Sequence, residues 1–236
     1  MIHFPPLCII LLAVLIPSGL RAGGSEANFI TELGEGRRQK IVVYGTSLTA
    51  NSAWPAQLQS TLREAYGRKL DVVNAARGGA DSRWGLANVT RRVVREKPDS
   101  VLIEFAINDA LESSKLSVSE SIRNLEGMIE IIRRERPACE VILMIMNPPV
   151  GDALAQRPYI ADYEKAYRRA AREIPCRLID FSGVWRPIIS KQSGRWIALA
   201  PDGLHPNGKA CREVILPGLL KGIGFPQPSH PPNSGS

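Results

Sequence analysis

The stretch IVVYGTSLTANSAW, residues 41–54, changes character halfway along. Ile41–Tyr44 is an unbroken apolar and aromatic run, the composition of a strand covered on both faces. Gly45-Thr46-Ser47 then breaks it. A glycine followed by small hydroxyl residues is most simply a turn. The alternative is that Ser47 stands at the carboxyl edge of a sheet, where open parallel sheets bind their ligands. The choice depends on what the rest of the chain brings to the same edge.

Four further runs read like the first: Leu70–Asn74, Val101–Phe105, Val141–Ile145 and Arg177–Phe181. Helical patterns separate them. Trp54, Leu58, Leu62 and Ala65 recur at helical spacing, with Pro55 in the first turn. Ser117-x-x-Glu120 is a capping box, and Ile122, Leu125, Ile129 and Ile132 mark the buried face that follows it. Tyr159, Tyr163, Tyr167, Ala170 and Ile174 form another stripe, read as core packing. A last helix is expected after Pro206, running toward Leu220 and disturbed at Pro217. Strands alternating with helices predict an α/β fold: a three-layer α/β/α sandwich on a parallel sheet of about five strands. The domain is expected over residues 38–223. The tail 224–236, rich in Pro, Ser and Gly, is expected to be disordered.

The 236 residues are enough to bury a core without a metal or disulfide staple. The formal net charge is +7, yet the arginines are spread among acidic residues along helix faces rather than clustered. That pattern argues against a nucleic-acid partner, while leaving a weak attraction to anionic polymers or surfaces. The apolar run Leu7–Ile16 is too short to span a bilayer, which needs roughly 20 residues. With the small residues after it, residues 1–24 read as a signal peptide of a secreted or periplasmic protein; a retained N-terminal anchor is the alternative. No stable membrane partner is expected of the domain itself. Outside that segment stand Cys139, Cys176 and Cys211, an odd number that cannot all pair within one chain. Cys139 and Cys176 each precede a strand and could be neighbours, but buried free thiols are the simpler reading.

The segments after the strands carry the chemistry. Gly45-Thr46-Ser47 follows the first, and Asn74-Ala-Ala-Arg-Gly-Gly-Ala-Asp-Ser82 follows the second. Ala106-Ile-Asn-Asp109 follows the third, and Asp202-Gly-Leu-His205 precedes the last helix. Each piece alone is weak. The histidines sharpen the case, because His3 lies in the leader and His230 in the tail, leaving His205 as the domain's imidazole. Asp202 lies three residues before it, close enough to orient the ring and stabilise an imidazolium. A serine hydroxyl needs such help to act as a nucleophile. Candidate oxyanion donors are the backbone N–H groups of Ser47 and Gly79 and the side-chain amide of Asn108.

These four pieces, in this order, resemble the SGNH hydrolase superfamily, the GDSL-type esterases and lipases. The family's Gly-Asp-Ser-Leu appears as Gly45-Thr46-Ser47-Leu48, and its Asn-x-Gly-x-x-Gly as Asn74 to Gly79 with Ala76 in the middle position. Its Gly-x-Asn-Asp appears as Ala106 to Asp109, and its Asp-x-x-His as Asp202 to His205. The resemblance covers nearly the whole domain and implies a flavodoxin-like sheet. It implies Ser47, Gly79, Asn108 and His205 as the four named residues, with Asp202 as the acid. It requires no cofactor and no metal. Thr46, Ala76 and Ala106 depart from the pattern beside the catalytic positions, which puts the substrate in question more than the reaction.

The reading is therefore a serine ester hydrolase acting on small acyl esters, acetyl first, on a small-molecule or carbohydrate alcohol. Trp84, Trp185 and Trp196 are candidates for stacking on sugar rings, against the simpler reading of packing. A lipase-like or thioesterase activity is the alternative within the chemistry, and a non-catalytic carbohydrate-binding domain is the alternative outside it.

Overall fold

The structure, a computed structural model, describes residues 28–226. The expected leader and residues 227–236 lie outside the described residues. Each apolar run forms a strand: β1 Gln39–Gly45, β2 Leu70–Asn74, β3 Ser100–Glu104, β4 Glu140–Ile145 and β5 Arg177–Asp180. All pairings are parallel, in the order β2-β1-β3-β4-β5. Central β3 is buried along its whole length, whereas edge strands β2 and β5 are partly covered. This explains why the central runs are apolar without alternation.

Helix α1 Phe29–Gly34 precedes β1, and α2 Ser47–Ala50, α3 Trp54–Tyr66, α4 Ser82–Arg92 and α5 Ala106–Asp109 lie between the strands. They continue with α6 Val118–Glu135, α7 Asp152–Ala155, α8 Ile160–Glu173, α9 Ser182–Lys191 and α10 Ser193–Leu199. The chain closes with α11 Gly208–Ala210, a π-helical turn Cys211–Ile215, and α12 Leu216–Gly222. Helices α4, α6 and α8 pack side by side on one face of the sheet, and α3 and α12 cover the other. The result is the expected three-layer α/β/α sandwich.

Local chemistry explains the boundaries. Ser117 Oγ accepts the Glu120 N–H at 3.2 Å and starts α6, whose Ile122, Leu125, Ile129 and Ile132 are buried. In α3 the buried stripe is Trp54, Leu58 and Leu62, and Ala65 is exposed. In the tyrosine stripe Tyr163, Tyr167 and Ala170 are buried, but Tyr159 is 62% exposed at the cap of α8, before the helix turns its face inward. Pro217 lacks an N–H and would crowd the carbonyl four residues back; the π-helical turn immediately before α12 absorbs that mismatch. Helix α1 lies ahead of residue 38 and still belongs to this core, with Phe29, Ile30 and Leu33 buried. Asn28 Nδ2 ties it to the Ile223 carbonyl at 3.3 Å. Cys139 and Cys211 are free thiols, so Cys139 is not bonded to Cys176. Among the described residues no helix is long and apolar enough to cross a membrane.

The strand order places the topological switch between β1 and β3, whose following segments leave in opposite directions. The crevice beyond their carboxyl ends is where this architecture binds ligands.

Candidate active site

Ser47 is the first residue of α2, and Thr46 caps that helix by accepting the Leu48 N–H at 3.2 Å. Trp54 Nε1 donates to the Leu48 carbonyl at 2.9 Å, and Asn74 Nδ2 to the Thr49 carbonyl at 3.2 Å. The turn is thus held from α3 and from the end of β2. Beneath it lies Glu104, the last residue of β3 and 2% exposed. Its Oε1 accepts the Thr46 N–H at 2.6 Å and the Thr49 hydroxyl at 2.8 Å, and the Thr46 hydroxyl lies 3.1 Å from both carboxyl oxygens. A Cβ on residue 45 would fall 2.2 Å from Glu104 Oε1. Glycine ends the strand so that this carboxyl can reach the turn. The arrangement also accounts for Thr46: a carboxylate there would face the buried Glu104, whereas a hydroxyl donates to it.

The Asp202–His205 turn is built by Asp202. Its Oδ1 accepts the Leu204 N–H at 3.0 Å and the His205 N–H at 2.7 Å, and its Oδ2 lies 2.6 Å from His205 Nδ1. Asn147 Nδ2 and the Val150 N–H, in the segment after β4, hold the Leu204 and Gly203 carbonyls at 2.8 Å each. Partial burial raises the Asp202 pKa, but the His205 N–H, the His205 ring and the Leu204 N–H outweigh it and bring the pKa down to about 2. An ionised Asp202 draws the ring proton to Nδ1, so Nε2 is the acceptor. Nε2 lies 2.8 Å from Ser47 Oγ.

The expected donors border the same crevice. A cleft of about 440 Å³ is lined by Ser47, Gly79, Asn108 and His205, together with Leu111, Arg157 and Leu204 among others. The Ser47 and Gly79 N–H groups have no partner among the described residues. Asn108 Nδ2 donates one hydrogen to the Ala80 carbonyl at 2.9 Å, which leaves the other for a ligand. Gly79 sits at φ +72°, a conformation that disfavours a side chain, although a Cβ there would meet open space. The close approach to the nucleophile comes from Gly78 instead, whose Cβ would lie 3.9 Å from that of Ser47. Asp109, fully buried, accepts the Ser82 N–H at 2.7 Å and the Ser121 hydroxyl at 2.5 Å, and so fixes the start of α4 behind Gly79. Burial raises its pKa to about 6, and burial likewise raises that of Glu104 to about 7.

The structure brings Ser47, Gly79, Asn108, Asp202 and His205 to one rim. The tryptophans it does not. Trp185 and Trp196 pack edge to face at 5.3 Å and are buried, and Trp84 packs on Tyr44 at 5.6 Å. None of the three lines the cleft. The residues absent from the sequence reading are Glu104 and Arg157. Glu104 carried a visible signal, an ionisable residue inside the apolar run VLIEF; Arg157, in a loop without periodicity, carried none.

Residues 34–212 match the GDSL-like Lipase/Acylhydrolase family model. A GDSL esterase/lipase of Arabidopsis thaliana is 28% identical over 157 residues, covering 63% of this chain and 63% of the relative's length. An isoamyl acetate-hydrolyzing esterase 1 homolog of Rattus norvegicus is 25% identical over 189 residues, covering 70% of this chain and 74% of its own. Among solved structures, an acetylxylan esterase from Geobacillus stearothermophilus superposes with a TM-score of 0.69 at 20% identity, covering 81% of this chain and 96% of that one. A lipase/acylhydrolase from Enterococcus faecalis gives a TM-score of 0.65 at 27% identity, covering 82% of this chain and all of that one. The chain belongs to the GDSL-like lipase/acylhydrolase family, within the SGNH hydrolases, and its class is that of the carboxylic ester hydrolases.

Proposed function

We propose that this chain hydrolyses small acyl esters, acetyl first, by covalent catalysis at Ser47, on a carbohydrate alcohol. The single observation that carries the mechanism is the approach of Ser47 Oγ to His205 Nε2 at 2.8 Å, with Asp202 at 2.6 Å on the far side of the ring. Ser47 Oγ attacks the acyl carbonyl as its proton passes to His205 Nε2, and Asp202 stabilises the imidazolium. The oxyanion rests on the Ser47 and Gly79 N–H groups and the free hydrogen of Asn108 Nδ2. His205 then protonates the leaving alcohol. Water, deprotonated by His205, attacks the acyl-serine and releases the acid.

Support for acetyl comes from two relatives that differ in their alcohols. One is named for isoamyl acetate and the other for acetylxylan, so the acetyl group is what they share. Support for an alcohol larger than the acyl group comes from the cleft, whose volume falls in the range of sites for whole small molecules. The N-terminal apolar run supports a secreted or periplasmic location. The test is turnover of 4-nitrophenyl acetate and of longer acyl homologues, beside acetylated oligosaccharides. Ser47→Ala and His205→Ala are each expected to lower kcat by about 10⁶-fold. Undiminished turnover in either variant ends the assignment.

A further inference from the structure

Among the described residues Arg157 stands in the cleft without a counter-ion. It is 5% exposed, and it forms no ion pair among the described residues. Its Nε donates to the Ile107 carbonyl at 2.8 Å and its Nη1 to the Ala153 carbonyl at 3.0 Å. Nη2 has no partner among the described residues, is not sealed from solvent, and belongs to a side chain that lines the cleft beside Asn108, Leu111 and Leu204. A buried guanidinium is ordinarily matched by an anion, because backbone carbonyls satisfy its hydrogens without neutralising its charge. The carboxylate in this cleft does not serve: Asp81 is held by Arg83, whose Nη2 lies 2.6 Å and Nε 2.9 Å from Asp81 Oδ2. The protein thus keeps a fixed, oriented cation with the Nη2 hydrogens free at the edge of the proposed reaction centre.

We propose that Arg157 binds a carboxylate on the alcohol portion of the substrate, so that the esters cleaved here are acetyl esters of sugar acids rather than of neutral sugars. This rests on the reading of Ser47 as nucleophile and of acetyl as the acyl group. An acetyl group has no atoms with which to carry an anion, so the charge that meets Nη2 belongs to the leaving alcohol. The rest of the molecule agrees, since a formal net charge of +7 draws a polyanionic carbohydrate toward the surface before the cleft selects its residue.

A purely structural role for Arg157 makes a different statement. By bonding the Ile107 carbonyl it steadies the residue before Asn108, and its loss would then affect charged and neutral ligands alike. The experiment separates the two by a ratio. Binding of methyl β-glucuronoside and methyl β-glucoside to the full chain is measured by calorimetry at low salt, and hydrolysis of their monoacetates is followed beside 4-nitrophenyl acetate. The glucuronoside is expected to bind roughly tenfold more tightly, with the same preference in kcat/KM carried by KM. Arg157→Gln is expected to bring the ratio to about one, and Arg157→Lys to keep part of it, because a compact ammonium retains the charge but not the fork. Equal binding of the two glycosides by the unaltered chain overturns the proposal, whatever the variants do. So does a preference that survives Arg157→Gln. So does a charge preference found only on the acyl side, with 4-nitrophenyl hemisuccinate favoured over 4-nitrophenyl butyrate and the glycosides bound equally. Should Arg157→Gln not fold, the ratios in the unaltered chain and in Arg157→Lys still decide. Glucuronoside binding without any ester turnover removes the proposed hydrolysis and leaves Arg157 its role; turnover with equal binding does the reverse.

Discussion

Glu104 is buried beneath the nucleophile turn, and its side chain shows how a residue outside the reaction sets the geometry of one within it. The folded protein holds the Glu104 proton until about pH 7, against an ordinary value of 4.5. The unfolded chain releases it earlier, so between those values the folded state binds more protons and loses stability as pH rises. Glu104→Gln removes that dependence. Urea unfolding of the two proteins at about pH 4 and pH 8 is expected to shift the balance toward the variant, by on the order of 3 kcal/mol across the interval. Equal pH dependence in both would mean that the carboxyl is not protonated by burial. The same contact sets the expectation at residue 45. Gly45→Ala drives a methyl against Glu104, and overpacking of this kind costs about 1–3 kcal/mol. Here the displaced carboxyl also carries Thr46 and Ser47 with it. Turnover of 4-nitrophenyl acetate is expected to fall further than the loss of folded protein explains, because the Ser47 Oγ to His205 Nε2 approach of 2.8 Å is broken.

At the scale of elements, two contacts that look alike on paper should differ in effect. Ser117 caps α6 and does not line the cleft, and Ser117→Ala is expected to cost about 1 kcal/mol of stability with kcat unchanged. Asp109 joins α5 to the starts of α4 and α6 through Ser82 and Ser121, directly behind Gly79. An amide at 109 can keep one of those acceptor contacts and not both. Asp109→Asn is therefore expected to loosen the α4 start and lower kcat more than it raises KM, as the Gly79 N–H drifts from the oxyanion; a change confined to KM would place Asp109 outside catalysis. The strands and the long helices were legible because one interaction, burial, imposes their period on the sequence. Val101–Phe105 shows it without alternation, and Ile122 to Ile132 at helical spacing. The candidate site was legible where chemistry narrows the choice of residue, as with the histidine of the domain and the acid three positions before it. What escaped was decided by partners distant in sequence. Arg157 takes its meaning from Ile107 and an open cleft, Tyr159 from where α8 begins to face inward, and the π-helical turn from the accommodation of Pro217.

Over the whole molecule, the least legible part is the one that closes it. Helix α1 has six residues, too few to display a period or to hold a helix unaided in water. Its Phe29, Ile30 and Leu33 are nevertheless 1%, 5% and 2% exposed, so the sandwich itself makes this segment helical by burying it. The docking joins the two ends of the fold. Asn28 Nδ2 reaches the Ile223 carbonyl after α12, and the Phe29 N–H reaches Glu140 at the start of β4 at 3.3 Å. Phe225, beyond α12, packs edge to face on Tyr66 at 5.9 Å and covers the end of α3 on the same side. A chain begun at Arg38 leaves three large side chains' worth of core uncovered, each contributing about 1.5–3 kcal/mol when buried. Such a chain is expected to unfold at a distinctly lower urea midpoint than one begun at Asn28, by an amount equivalent to roughly 5 kcal/mol. Its kcat on 4-nitrophenyl acetate should be retained at temperatures where it stays folded, because α1 meets the sheet at the amino ends of β1 and β4 and the cleft opens at the carboxyl ends. Coincident midpoints for the two chains would show that the sandwich stands without this helix; a fall in kcat with no change in midpoint would show that the two ends of the sheet are coupled.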